Sequence, residues 1–221
     1  VAAVLLSWSS GKDSAWALQV LRREGAEVAA LLTTFDAATA RVPLQEVPLE
    51  LVRRQAQAVG LPLWTVALPQ PCPNAEYERS MRRVLQRAAA EGVSEVAFGD
   101  LYLEDIRHYR QEMMRPTRLS ARFPLWCRPD ETARLAEEMI AAGVEATVSC
   151  VDRALVDPGL AGRRFDLQLL AQLPPGVDPL GERGEFHTFC HWAPGFSRRV
   201  DARVTGFEAG NGRRWALLSA T

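Results

Sequence analysis

Apolar runs and helical patterns alternate along the first half of the chain. Ala2–Ser7 is an unbroken apolar run that predicts a buried strand, and Ser14–Arg23 follows with helical spacing. Glu27–Thr33 predicts a second strand, Phe35–Val47 a loop of weak periodicity, and Pro48 the start of a helix that Gly60 ends. Leu63–Leu68 predicts a third strand and Pro69–Pro73 a loop. Asn74 is placed to cap a helix over Ala75–Glu91, whose Met81, Val84, Leu85 and Ala88 share one face. Glu95–Phe98 predicts a fourth strand, running into Gly99-Asp100. Strands alternating with helices of this length predict a parallel sheet covered on both faces, an α/β fold.

The pattern changes near residue 118, which we take as the division between parts 1–118 and 119–221. A helix is expected over Leu103–Met114, a strand near Ala121–Leu125, a helix over Glu131–Ala142 capped by Asp130, a strand over Glu145–Val151 and a short helix over Arg163–Gln172. Val177–Gly184 reads as loop. The end reads as antiparallel sheet: Glu185–Cys190, Ser197–Phe207, a turn at Gly210-Asn211-Gly212, and Arg213–Ser219. The smaller C-terminal part is therefore α+β and ends in an antiparallel hairpin.

Composition changes this picture little. The 221 residues carry a formal net charge of -1, which shows no electrostatic footprint for bulk nucleic-acid binding. Cys72, Cys127, Cys150 and Cys190 form no Cys-x-x-Cys pair and read as free thiols in a reducing compartment. Val1–Leu6 is too short for a signal-peptide core, and no run approaches a membrane span. The expected location is cytoplasmic, with no membrane partner.

The chemistry concentrates in three segments. The first is Ser9-Ser10-Gly11-Lys12-Asp13-Ser14, between the first strand and the first helix. The opening amides of a helix lack intrahelical partners and carry partial positive charge, so this turn suits a phosphate chain. It is not a Walker loop, because Asp13 follows Gly-Lys and Leu6 stands where the first Gly would fall. The plainer reading is an N-cap by Asp13 or Ser14.

The second is Gly99-Asp100, followed by Arg107 and Arg110 at i, i+3 spacing. The arginines could clamp an anionic substrate or simply pair with Glu104, Asp105 or Glu112. The third is Gly181-Glu182-Arg183-Gly184-Glu185-Phe186-His187-Thr188-Phe189. Glu182, Glu185 and His187 could hold an amine, orient a metal ion or move a proton. Equally, they could be solvated charges around a glycine turn.

The Ser9–Ser14 turn resembles the Ser-Gly-Gly-x-Asp-Ser turn of the PP-loop ATP pyrophosphatases, with Ser10 at a position where glycine is usual. Taken with Gly99-Asp100, Arg107, Arg110, Phe123-Pro124-Leu125-Trp126 and the Glu182–His187 segment, the chain resembles the diphthine–ammonia ligase family from about Val4 to Phe196. His187 stands where archaeal and eukaryotic members more often have Glu, which resembles the bacterial branch.

The resemblance implies a Rossmann-like HUP domain that binds ATP with Mg²⁺. It implies adenylation of a substrate carboxylate, small or protein-borne, and amidation by ammonia with release of AMP and pyrophosphate. Ser7, Ser9, Ser10, Gly11, Lys12, Asp13 and Ser14 would cradle the nucleotide, with Thr33, Thr34, Gly99 and Asp100 around it. Lys12, Asp13, Glu182, Glu185 and His187 would serve the chemistry, and Arg107, Arg110, Glu182 and Glu185 the acceptor. A homodimer is admitted. The alternatives are a PP-loop tRNA-modifying enzyme of thiolation or lysidine type, and a nucleotide-binding sensor without catalysis.

Overall fold

The computed structural model describes residues 3–221; Val1 and Ala2, the latter expected to open the first strand, lie outside the described residues. In chain order the N-terminal elements are β1 (Ala3–Ser7), α1 (Lys12–Arg23), β2 (Glu27–Asp36), β3 (Arg41–Val42), β4 (Val47–Pro48), α2 (Leu49–Val59) and β5 (Leu63–Leu68). They continue with α3 (Asn74–Ala90), β6 (Val93–Ala97), α4 (Glu104–Met114) and β7 (Ser120–Arg122). A five-stranded sheet of order β5-β2-β1-β6-β7 pairs in parallel throughout. This is the expected α/β, Rossmann-like sheet. β7 joins it although it follows residue 118.

Side-chain alternation along β1 sorts the core. Val4 and Leu6 pack with α1 and α2 on one face, while Leu5 packs with Met81, Leu85 and Met114 of α3 and α4 on the other. The order in which strands are added reverses at β1, with β2 on one side of it and β6 on the other. Ligands of open parallel sheets bind at such a switch point, beyond the strands' carboxyl ends. There the chain places Ser9–Ser14 and Gly99-Asp100 side by side: a Cβ on Gly99 would come within 3.3 Å of the Asp13 carbonyl carbon.

The C-terminal part contains α5 (Thr132–Ala141), β8 (Glu145–Asp152), α6 (Leu167–Leu170), β9 (Phe186–Trp192), β10 (Ala202–Gly210) and β11 (Arg213–Ala220). Its antiparallel sheet runs β10-β11-β8-β9. The β10–β11 turn has Asn211 and Gly212 both at positive φ, 49° and 76°, as an Asn-Gly hairpin requires. This sheet shares one apolar core with α1 and α2: Val148, Phe186 and Phe189 belong to the same cluster as Trp16, Leu18 and Val52.

Several expected boundaries move for identifiable reasons. Asn74 does not cap α3; it is the first helical residue, and the Pro73 carbonyl receives the Glu76 and Tyr77 amides. Asp130 does not cap α5 either. It pairs with Arg128 inside a short 3₁₀ turn, Pro129–Glu131, and the helix begins at Thr132. The helix expected over Arg163–Gln172 shrinks to Leu167–Leu170, because Arg163 and Phe165 bond to Val148 and Ala146 of β8 and Asp166 caps what remains.

The strand expected from Ser197 begins at Ala202; before it, Ser197 and Val200 are tied to Ala58 and His191. The Phe35–Val47 loop is partly ordered, since β2 continues to Asp36 and β3 pairs with β4. Among the described residues no helix is long and apolar enough to cross a membrane.

Candidate functional site

At the switch point a cavity of about 270 Å³ is lined by Ser7, Ser9, Gly11, Asp13 and Ser14 from the first turn and by Gly99, Asp100 and Arg110 from the second segment. Leu180, Gly181, Glu182, Phe186, His187 and Thr188 of the third segment complete it, with Leu44 and Gln45 from the β3–β4 loop. All three chemistry-bearing segments therefore meet in one cleft. A second cavity of about 250 Å³ adjoins it, sharing Ser7, Ser9, Leu44, Gln45, Phe98 and Arg110. Its remaining walls, including Trp8, Leu32, Val42 and Met81, are mostly apolar. A cavity of about 310 Å³ between α3 and α4 shares no residue with either.

The first turn is anchored to β9. The Ser10 carbonyl accepts from the Cys190 amide at 2.9 Å and from Gln55 Nε2 at 3.0 Å, while the Lys12 amide donates to Thr188 Oγ1 at 3.1 Å. Gln55 is fully buried and also takes Trp8 Nε1 at 2.8 Å and donates to the Cys190 carbonyl at 2.6 Å. Ser10 sits at φ 70°, in the left-handed region that favours glycine. Its hydroxyl is buried without a partner and does not line the cleft. Among the described residues the amides of Asp13 and Ser14 have no acceptor, which leaves them for a ligand.

Lys12 departs from expectation. Its side chain is 1% exposed, and its ammonium turns away from the cleft to donate to the Leu180 carbonyl at 2.6 Å and to Asp13 Oδ2 at 3.0 Å. The Phe165 and Phe186 rings lie 5.3 Å from it on either count, so cation–π contact replaces lost hydration. Asp13 keeps its other oxygen, Oδ1, buried and unpartnered. Burial raises the Asp13 carboxyl above its ordinary range despite the Lys12 charge.

The third segment divides its acidic residues. Glu182 lines the cleft and accepts the Leu101 amide at 2.8 Å. Burial pushes its pKa to about 8, against the Leu101 hydrogen bond and with help from Asp13 and Asp100. His187 also lines the cleft; burial, then the charges of Arg213 and Lys12, lower it to about 4, so it is neutral near pH 7. Its Nε2 is buried and unpartnered.

Glu185 does not line the cleft. It is 3% exposed and accepts the Asp178 and Arg183 amides at 3.0 and 2.9 Å, holding the turn's shape. Asp178 joins it by accepting from Tyr102 Oη at 2.7 Å and from the Leu180 amide at 2.7 Å. The two carboxylates have the same residue type and spacing in a glycine turn, and only their burial tells them apart.

Arg110 faces the cleft but is paired with Asp100 at 3.4 Å and stacked on Phe98. Arg107 lies outside the lining because its guanidinium stacks on Trp126, 4.6 Å from the ring centre. Thr33 is buried with its hydroxyl on the Trp8 carbonyl at 2.7 Å, whereas Thr34 lines the apolar cavity. Sequence reasoning missed Gln45 and Gln55. Both are isolated glutamines in unremarked stretches, and only the fold brings them to the cleft and the turn.

Comparison with known proteins identifies the family. Residues 2–119 match the model of the diphthamide synthase N-terminal domain, and residues 131–217 that of the C-terminal domain. No curated protein matches the chain. Among solved structures, the U34-tRNA thiolase NcsA from Methanococcus maripaludis, with its [4Fe-4S] cluster, is similar at 17% identity and a TM-score of 0.37. That match covers 62% of this chain and 55% of the thiolase, so this chain spans about half the length of that protein. With the two family models together extending over nearly all of the sequence, the chain belongs to the diphthamide synthase family.

Proposed function

We propose that this protein is an ATP-using enzyme of the pyrophosphatase type, and more specifically a ligase that adenylates a substrate carboxylate and amidates it with ammonia. One observation carries the reading: unpartnered helix-start amides of Asp13 and Ser14 face Glu182 and His187 across a single cleft. Family membership supports ATP use with release of AMP and pyrophosphate.

In this reading the nucleoside lies in the apolar cavity and the polyphosphate runs over Ser9–Ser14. Among the described residues no three His, Cys, Asp or Glu side chains form a preformed metal site, so a cation would be shared with phosphate oxygens. The unpartnered Asp13 Oδ1 and the nearby Asp100 fit Mg²⁺, which would neutralise charge on the leaving pyrophosphate.

The acceptor carboxylate oxygen bonds to the α-phosphorus as the bond to the β-phosphate bridging oxygen breaks. Ammonia then forms the C–N bond and AMP leaves. Glu182 lines the cleft and, once deprotonated as pH rises through its pKa of about 8, accepts the proton released by the attacking nitrogen. Neutral His187 offers a hydrogen bond without adding charge. The thiols suit a thiolation reading poorly: burial pushes Cys190 to about 12 and Cys127 to about 11, far from thiolate at neutral pH.

The test is product analysis of α-labelled ATP during a screen of carboxylic acids with ammonium. AMP with stoichiometric pyrophosphate is expected. Formation of ADP would overturn the reading, and a strict requirement for tRNA would move it to the tRNA-modifying class.

A further inference from the structure

The two cavities meet at six shared residues: Ser7, Ser9, Leu44, Gln45, Phe98 and Arg110. A nucleotide with its base in the apolar cavity and its phosphates over the first turn must cross that junction at the ribose and α-phosphate. Two of the four polar side chains there, Ser9 and Arg110, are engaged, and Ser7 carries only a short hydroxyl. Ser9 Oγ lies 3.5 Å from Ser14 Oγ and accepts the Gly11 amide at 3.4 Å, and Arg110 is paired with Asp100.

Gln45 differs. It is 9% exposed and lines both cavities, and its side-chain amide makes no hydrogen bond to the described residues. Its polar atoms open onto the cavities and not onto protein groups, which leaves them free to bond a ligand there.

The loop that carries it is held in place. The Gln45 amide N–H donates to the Pro43 carbonyl and the Glu46 N–H to the Val42 carbonyl, both at 2.9 Å. Arg41 grips the Glu46 carbonyl at 2.6 Å, and Trp215 Nε1 on β11 holds the Leu44 carbonyl at 2.9 Å. A tethered backbone limits the reorganisation to the side chain's own rotation on binding.

We infer that Gln45 is a contact residue for the α-phosphate, its amide N–H donating to a non-bridging oxygen at the bond-breaking centre. The inference rests on the nucleotide reading above and adds a residue that neither the phosphate turn nor the acidic segment contains. A neutral donor suits this place, because the Asp13 and Asp100 carboxyl groups line the same cleft and would pair with a cationic side chain. It can follow the charge developing on phosphorus oxygens without pairing off one of those carboxylates.

Calorimetric titration of the whole protein with adenosine, AMP and pyrophosphate, each with Mg²⁺, tests it on wild type, Gln45→Leu and Gln45→Glu. AMP affinity should fall about fivefold in Gln45→Leu, the scale of one neutral hydrogen bond. It should fall about tenfold or more in Gln45→Glu, where carboxylate meets phosphate. Adenosine and pyrophosphate affinities should stay within twofold.

Unchanged AMP affinity in both variants overturns the contact, as does an equal loss for adenosine or for pyrophosphate. Should Gln45→Glu not fold, Gln45→Leu, which keeps the volume, decides alone. Wild type that binds neither AMP nor pyrophosphate would instead defeat the nucleotide reading itself.

Discussion

The Ser9–Ser14 turn and the Asp178–His187 turn face each other across the cleft and are built on opposite plans. The first directs main-chain amides towards the ligand and hides its one full positive charge: Lys12 is buried against Leu180. The second uses most of its polar groups on itself, with Glu185 and Asp178 closing the turn, and presents only Glu182 and His187. A dense charged motif is thus not a list of catalytic groups. Some of its charges exist to hold the others still.

The strongest way to break that contrast is Glu185→Ala. If Glu185 is scaffold, its loss strands two buried amides and should destabilise the protein by about 3 kcal/mol or more, read by urea unfolding. A stable variant with lost turnover would instead return Glu185 to the acceptor site. Next comes Lys12→Met, where the thioether can occupy the slot between Phe165 and Phe186. We expect about 3 kcal/mol of lost stability from the two missing charged hydrogen bonds. ATP affinity should stay within about fivefold, because one such bond to phosphate would be worth tenfold or more. A larger loss would show that the ammonium swings into the cleft when nucleotide binds.

Ser10→Gly tests the first turn's backbone. Removing a left-handed serine and its buried, unpartnered hydroxyl should raise stability by about 1 kcal/mol. No gain in the melting temperature would mean that the hydroxyl finds a partner in solution.

The smallest effect is one of pH. Glu182 has a folded pKa of about 8, above its unfolded value, so the folded state holds the extra proton and stability falls as pH rises towards 8. His187, lowered to about 4, acts oppositely, and stability gains from it as pH rises to about 6.5. Between pH 6.5 and 8 Glu182 still contributes its slope after His187 has ceased to titrate. Urea titrations should show that slope in wild type and its absence in Glu182→Gln; a slope in both would assign it to another group.

The sheet was legible because β1, β2 and β5 are plain apolar runs with helical patterns between them, and the Asn211-Gly212 hairpin follows from turn chemistry alone. The C-terminal helices were harder. Arg163–Phe165 has helical spacing, but edge pairing with β8 outweighs that weak preference. At the site, sequence identified the segments and not the direction of each side chain. Nothing local distinguishes Glu182 from Glu185, or Arg110 from Arg107. Burial against Asp178 and stacking on Trp126 decide those cases, and both depend on residues distant along the chain or on another element.

Gln55 shows what such distant ties do to the molecule as a machine. One buried amide joins the end of β1, the phosphate turn and a strand from the far third of the chain. The two walls of the cleft are riveted through it to a common core and have no hinge there about which to part. Parting the two halves at this point breaks three buried hydrogen bonds at once, so unfolding should proceed as one cooperative transition across both halves rather than one half at a time.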